Sequence, residues 1–394
     1  MIVGVVGAGT MGAGIAQVCL VAGHSVRLYD PSPESAAMAR SRIEAGLGRL
    51  VAKGKLEPMA HAASSARLTA VADLAEVATG ADVVIEAAIE DLVAKQAIFA
   101  DLDRSAPAEA LLATNTSALS VTAIAAGTTR PGRVVGLHFF NPAPLMRLVE
   151  VVAGALTHGS AIDAALRFAE GLGKDPIPCA DAPGFIVNRV NRPFTLEALR
   201  MLEAGDADVR SIDAAMVAAG YPMGPFALID LVGVDVNLAV ARSLHEGFDQ
   251  AERFRPSALQ ERMAEAGTLG RKSGQGFYRY DEVGGLVGPA GGFEAVHRQP
   301  DHDASPRPTL HADAIRDRIE LATINEAYRA AGEGVASPPD IDLALVLGAG
   351  HPVGPFARAR ALGLGRVVGS LRELERQHGE RYRVAQTLWQ VASI

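Results

Sequence analysis

Over roughly the first 180 residues, short apolar runs alternate with longer stretches whose apolar positions recur at helical spacing. Residues 2–6, 25–29, 83–85, 111–113 and 134–139 form the clearest runs. They are apolar and several are β-branched, which predicts strands buried on both faces. Segments 12–22 and 92–102 predict helices between them. The alternation predicts a parallel sheet covered by helices on both sides. Residues 33–61 are more than one crossover helix needs, and their Ala, Arg, Glu and Lys predict a helical hairpin projecting from the sheet. The stretch VVGLHFFNPAPLMRLVEVV (134–152) predicts two short strands around a proline-rich turn.

After CADAPGF the strand signal fades. Residues 185–267 read as helical, with breaks near Asp206 and Pro222, and RKSGQGFYRY reads as a turn with a short extended end. Residues 281–308 hold five Gly and four Pro among 28 positions with little periodicity, so they predict a linker. A last helical segment runs from His311 onward. It repeats the earlier one: IDAAMVAAGYPMGPFA (212–227) matches IDLALVLGAGHPVGPFA (341–357), and Glu197-Ala198 falls on Glu326-Ala327. Order, spacing and the shared Gly-Pro-Phe predict a duplication.

Composition narrows the class. The chain is 49% hydrophobic and 21% charged with a net charge of −8, which gives no electrostatic footprint for nucleic acid. Cys19 and Cys179 lie in apolar contexts and predict buried reduced thiols rather than a disulfide or a metal site. No apolar run is long enough to span a membrane, and MIVGVVGAG already reads as strand and turn rather than a targeting segment. A soluble cytoplasmic protein is the expectation, without a metal.

The first turn carries Gly7-x-Gly9-x-x-Gly12 after a strand and at the mouth of a helix that includes Thr10 and Met11. Asp30 closes the second strand eighteen residues beyond Gly12. In that context Gly7 permits a tight turn, Gly9 lets backbone approach a pyrophosphate, and Gly12 lets helix and strand pack closely. Asp30 is placed to accept the ribose hydroxyls and to repel a 2′-phosphate, so NAD is expected over NADP.

Ligands in such sheets bind at the carboxyl ends of the strands. Asn115 and Ser117 end one strand and His138 another. A neutral imidazole suits removal of a hydroxyl proton near pH 7, and Glu150 on the next strand is a candidate to orient its other nitrogen. Each also has a plainer reading: a satisfied core histidine, a solvent-facing glutamate, and for Ser117 a helix cap.

These residues sit in motifs that resemble the L-3-hydroxyacyl-CoA dehydrogenases: GAGTMGAGIA, VIEAAIEDLVAKQAIFADLD, TNTSALSVTAIA, GLHFFNPAPLMRLVEVV, DAPGFIVNRV and GYPMGPFALIDLVGVD, spanning the chain from Ile2 to about Tyr280. The resemblance implies NAD-dependent oxidation of a 3-hydroxyacyl-CoA to the 3-ketoacyl-CoA, and the reverse. It implies His138 as base, Glu150 as its orienter, and Ser117 and Asn188 on the substrate's reacting oxygen region. Glu90, Lys95, Asn141 and Lys272 match positions beside the cofactor, where Asn115 is also expected from its strand end, and Lys53 matches a lysine near the CoA moiety. Gly46 departs from relatives that carry a serine touching CoA. The implied architecture is a Rossmann-type α/β domain with a helical-hairpin insertion (1–183), a helical substrate and dimerisation-type domain (184–280), the linker (281–308) and a second, degenerate helical domain (309–394). In the repeat register Asn188 falls on Asp317, so the second copy lacks the asparagine. It is expected to pack on the first copy and imitate a dimer partner, giving a monomer with an internal pseudo-dimer, or a homodimer. Two other readings stay open: a λ-crystallin-like dehydrogenase of a free hydroxy acid or sugar acid, and a non-catalytic NAD-binding protein. The acyl chain, short or dicarboxylic as in 3-hydroxyadipyl, is also open.

Overall fold

A computed structural model describes residues 1–291 and 310–393. The chain divides into two compact units, Met1–Phe185 and Ile186–Ile394. In the first, eight strands form one sheet: β1 (Ile2–Val6), β2 (Ser25–Tyr29), β3 (Leu68–Ala70), β4 (Val83–Glu86), β5 (Leu111–Thr114), β6 (Val134–Phe139), β7 (Leu148–Ala153) and β8 (Asp175–Ala180). Their order is β3-β2-β1-β4-β5-β6-β7-β8. Strands β1 to β6 run parallel, β7 is antiparallel to β6, and β8 runs with β7. The expected parallel sheet therefore reverses over its last two strands, where the turn after β6 is too short for a parallel crossover. Strands β3 and β8 escape a reading of apolar runs. The first has three residues, two of them exposed, and the second, DPIPCA, contains two prolines that only an edge strand tolerates.

The helical pair after β2 forms as Pro33–Ala52 and Pro58–Ala66. Ser32 caps the first helix by accepting from the Ser35 amide, and Pro33 occupies the first turn. The pair projects less than expected, because Ala39, Ile43 and Leu47 are buried in the sheet's own core with Ile15, Leu28 and Leu137.

The second unit is helical. Arg192–Glu203, Val209–Ala218, Pro225–Val232, Val234–Gly247 and Ala258–Glu265 make one set, and Ala312–Gly332, Pro338–Ala349, Pro355–Leu362, Leu364–His378 and Gln386–Ala392 repeat it. Local chemistry repeats too. Asp213 accepts from the Phe226 and Ala227 amides, and Asp342 from those of Phe356 and Ala357. Each aspartate thereby satisfies orphan donors at the start of its Gly-Pro-Phe helix.

Contacts between the copies are reciprocal. Arg189 and Arg253 of the first copy reach Glu326 of the second at 2.8 and 2.9 Å. Arg318 and Arg381 of the second reach Glu197 of the first at 3.3 and 3.2 Å. Near this local axis Tyr221 meets its counterpart His351 edge-on, with ring centroids 5.0 Å apart. Ile315 and Ile319 from the second copy lie inside the first copy's core beside Phe194 and Leu199. Residue i touching j while j touches i is the signature of an isologous interface, here closed within one chain.

The expected linker starts later than position 281. Leu286–Pro289 pairs antiparallel with Tyr278–Tyr280 across a turn in which Asp281 accepts from the Val283 and Gly285 amides. Two of the glycines that suggested a linker, Gly284 at φ +79° and Gly285, belong to this hairpin turn. The rest of the expected linker, 292–308, lies outside the described residues. Both cysteines are buried and free. No described helix is long and apolar enough to cross a membrane, and no described cluster of His, Cys, Asp and Glu has the makings of a metal site.

Candidate active site

Strand β1 ends in the glycine turn. Gly7 has φ +98°, and a Cβ there would strike the Ala87 carbonyl after β4. A Cβ on Gly12 would run into the Gly7 carbonyl, so only glycine lets helix Thr10–Val21 start this close to the strand. Around Gly9 the space is open. Gly9 is also the N-cap and offers no capping side chain, so the first-turn amides that include Thr10 and Met11 face outward with the helix dipole behind them. Asp30 accepts from the Ala8 amide at 2.8 Å and the Ser32 amide at 3.0 Å. That fixes the carboxylate beside the turn while lone pairs remain for hydroxyl donors. This cradle fits a dinucleotide pyrophosphate and its ribose. It lies between β1 and β4, where the strand order changes direction.

At the ends of β4 and β5 the structure adds residues that the sequence reading passed over. Glu86 is fully buried and accepts from the Lys95 ammonium, the Thr114 hydroxyl at 2.7 Å and the Ala88 amide at 2.6 Å. Lys95, expected at the cofactor, is thus a buried partner of Glu86, with Glu90 3.4 Å away. One Glu90 oxygen accepts from the Thr116 hydroxyl at 2.6 Å and from the Ser117 and Ala118 amides at 2.9 and 3.1 Å. Burial pushes the Glu90 carboxyl up, but these donors and Lys95 outweigh it and hold it below the ordinary carboxylate range. Asn115 accepts from the Phe139 amide at 2.8 Å, tying the end of β5 to β6. Ser117 is not the helix cap. Ser120 caps Val121–Ala125, and Asp181 at the end of β8 accepts from the Ser120 hydroxyl and the Val121 and Thr122 amides at 2.7 to 3.0 Å. Acids closing apolar strands, as in VVIE and CAD, were the available signal for Glu86 and Asp181.

The antiparallel register of β6 and β7 sets His138 directly across from Glu150. The imidazole Nδ1 lies 2.6 Å from the carboxylate Oε2, with the glutamate fully buried and the histidine nearly so. Phe140 and Phe185 flank the imidazole at 4.5 and 5.7 Å. A buried carboxylate on Nδ1 favours the tautomer that carries its proton there and leaves Nε2 with a lone pair. Phe140, Phe185 and the strand neighbours exclude water from the pair and strengthen its electrostatics.

Other expected positions are placed less centrally. Asn141 is exposed in the β6–β7 turn, next to the cis peptide to Pro142. Lys53 and Lys55 are exposed at the tip of the helical pair. Gly46 is buried, and a Cβ there would meet the Gln17 side chain, so a serine requires Gln17 to move. In the second unit Asn188 is half-buried in the turn of helix Val187–Val190, and Lys272 forms a two-pronged ion pair with Asp235 at 2.6 and 2.7 Å.

Comparison with known proteins agrees with this layout. A family model described as "3-hydroxyacyl-CoA dehydrogenase, NAD binding domain" matches residues 2–182. One described as "3-hydroxyacyl-CoA dehydrogenase, C-terminal domain" matches residues 184–280 and 315–393, the two helical copies. The chain is 38% identical to a 3-hydroxyadipyl-CoA dehydrogenase of Escherichia coli K12, over 99% of this chain and 97% of that one. It is 43% identical to a 3-hydroxybutyryl-CoA dehydrogenase of Mycobacterium tuberculosis, over 71% of this chain and 98% of that one. A crystal structure titled 3-hydroxybutyryl-CoA dehydrogenase from Escherichia coli K12 superposes with a TM-score of 0.88 at 38% identity, covering 100% of this chain and 98% of that one.

Proposed function

The chain belongs to the 3-hydroxyacyl-CoA dehydrogenase family, and we propose that it oxidises (S)-3-hydroxyacyl-CoA to 3-ketoacyl-CoA with His138 as general base and Glu150 as its orienting carboxylate. The observation that carries the assignment is the buried 2.6 Å contact between the two. In the forward direction the substrate hydroxyl donates to His138 Nε2. As the proton transfers, the growing imidazolium charge is stabilised by Glu150, which also holds the ring by accepting from Nδ1–H. Bound NAD would supply the acceptor for the hydride leaving the carbinol carbon. Gly7, Gly9 and Gly12 would shape its pyrophosphate site, the first-turn amides of Thr10 and Met11 would face it, and Asp30 would accept from its ribose. Ser117 and Asn188 are assigned to the substrate oxygen. Glu90, Lys95, Asn115, Asn141 and Lys272 are assigned to the cofactor side, Lys95 through its hold on Glu86 and Glu90. Lys53 and Lys55 suit the phosphates of CoA, and a free hydroxy acid has no use for them.

The second helical copy serves in this reading as a built-in dimer partner. It brings the reciprocal arginines and glutamates but no dinucleotide domain and no asparagine at Asp317. The base assignment is tested by His138→Gln and Glu150→Gln. Each is expected to lower kcat for NADH formation by about 10²- to 10⁴-fold while KM for the acyl-CoA moves little. Wild-type kcat in His138→Gln sinks the assignment. Turnover of free 3-hydroxy acids, with none of their CoA thioesters, moves the protein to the free-acid reading.

A further inference from the structure

Arg192 differs from the other deeply buried arginines of the helical unit. Arg189, three residues earlier, has Glu326 and Glu333, and Arg318 has Glu197 and Asp206. Arg192 is 7% exposed, yet no described carboxylate lies within ion-pair distance. Its Nη1 makes only two long contacts, 3.4 Å to the Thr195 hydroxyl and 3.4 Å to the Asn237 carbonyl, and its Nε has no partner. Burial lowers its pKa to about 10, so the guanidinium stays charged at neutral pH. An uncompensated buried cation is costly, and a fold does not keep one for packing alone.

The duplication supplies an internal control. In the repeat register Arg192 falls on Leu321, which is also buried. The helical scaffold is therefore satisfied by an apolar side chain at this position. The same register sets Asn188 on Asp317. Asn188 and Arg192 are four residues apart, and Asn191 between them keeps αR geometry, so the two share one face of a continuing helical turn. The copy that carries the asparagine carries the arginine, and the copy that lacks one lacks the other.

We infer that Arg192 receives the terminal carboxylate of the acyl chain, so that the preferred substrate is a short dicarboxylic 3-hydroxyacyl-CoA. This rests on the dehydrogenase reading, in which Asn188 meets the oxygen on the reacting carbon. Four residues of helix rise about 6 Å. From the oxygen on the reacting carbon to the far carboxylate oxygen of a six-carbon diacid there are five bonds, which reach roughly 6 Å when extended. The phosphates of CoA lie at the opposite end of the substrate, beyond the thioester arm. The planar guanidinium fork suits a carboxylate bidentately, and a tail ending in methyl leaves the charge without a partner.

The test compares two CoA thioesters of equal length, the six-carbon 3-hydroxy diacid monothioester and the six-carbon 3-hydroxy monoacid thioester, with wild type, Arg192→Leu and Arg192→Lys. Wild type is expected to favour the diacid by at least about 10²-fold in kcat/KM, as a site with a buried polar group rejects an analogue that leaves it unpaired. Arg192→Leu, which installs the second copy's own residue, is expected to lose about 10²- to 10³-fold on the diacid and to hold or gain on the monoacid. Arg192→Lys is expected to recover part of the diacid rate. A wild-type preference for the monoacid overturns the inference and needs no variant to fold. So does an equal loss on both substrates in a folded Arg192→Leu, which makes the arginine structural. Both outcomes leave the dehydrogenase reading standing, whereas a wild type that forms NADH with neither thioester refutes that reading itself.

Discussion

Glu197 lies at the junction between the two helical copies and gathers arginines from both. Its side chain is 2% exposed and accepts from Arg200 at 2.6 Å, Arg381 at 3.2 Å, Arg318 at 3.3 Å and the Tyr382 hydroxyl. Burial alone would raise its pKa, but the three guanidiniums and the phenol outweigh burial and hold it at about 2, against an ordinary 4.5. A difference of that size corresponds to roughly 3 kcal/mol of folding stability. Because the folded pKa is depressed, the contribution is fully present above about pH 4.5 and is lost as pH falls towards 2. Removing the carboxylate with Glu197→Ala strands buried guanidiniums, which costs about 3–5 kcal/mol. Arg318 keeps Asp206 at 2.8 Å, so the lower end applies.

For a unit of this size, about 3 kcal/mol lowers the thermal midpoint by roughly 6–12 °C. Calorimetry at pH 7 and along an acid series measures both consequences. Glu197→Ala is expected to melt lower at pH 7 and to lose less than wild type on acidification below pH 4.5. Glu326→Ala removes the mirror-related carboxylate that meets Arg189 and Arg253 and is expected to destabilise to a similar degree. A Glu197→Ala protein within about 1 kcal/mol of wild type at pH 7, with an unchanged acid slope, refutes the assignment of this stability to the reciprocal ion pairs.

Two further outcomes follow from the same geometry. Deleting residues 310–394 removes Ile315 and Ile319 from the first copy's core and strips Glu197 of Arg318 and Arg381. The truncated chain is expected to dimerise or aggregate in sedimentation, and a stable, active monomer overturns the built-in partner. Asp30→Ala removes the carboxylate fixed by the Ala8 and Ser32 amides. It is expected to raise KM for NAD and to narrow the preference over NADP by about tenfold or more, read from kcat/KM with each cofactor, while an unchanged ratio places the ribose elsewhere.

The parts legible in the sequence are those whose cause is local. Strands β1, β4, β5 and β6 declare themselves because a strand buried on both faces has to be apolar along its length, and β2 shows as an alternation in which Val26 and Leu28 are buried. The glycine turn is legible because each glycine answers a steric demand within a few residues. The His138–Glu150 pair was legible only as two polar intrusions twelve positions apart. Their contact depends on strand register, and a slip of one residue sends the glutamate to the other face of the sheet. The Lys95–Glu86 contact was not legible: the acid closing VVIE marks Glu86 alone, and a lysine on a helix looks solvent-facing until tertiary packing covers it.

The reciprocal network explains why the duplication was easier to see than its purpose. Order and the Gly-Pro-Phe element persist because Asp213 and Asp342 need the same backbone amides in each copy. Elsewhere, sequence cannot say whether an arginine pairs with a glutamate in its own helix, as Arg200 does with Glu197, or with one in the other copy, as Arg318 does. Only the three-dimensional arrangement separates the two, and it shows where the copies were held alike and where they were free to diverge. The arginine–glutamate positions answer to each other across the axis, so both copies keep them. Asn188 and Arg192 are not kept in the second copy, where aspartate and leucine stand at the matching positions. The asymmetry therefore marks residues kept for something other than the helical fold, which is the ground for assigning them to the substrate.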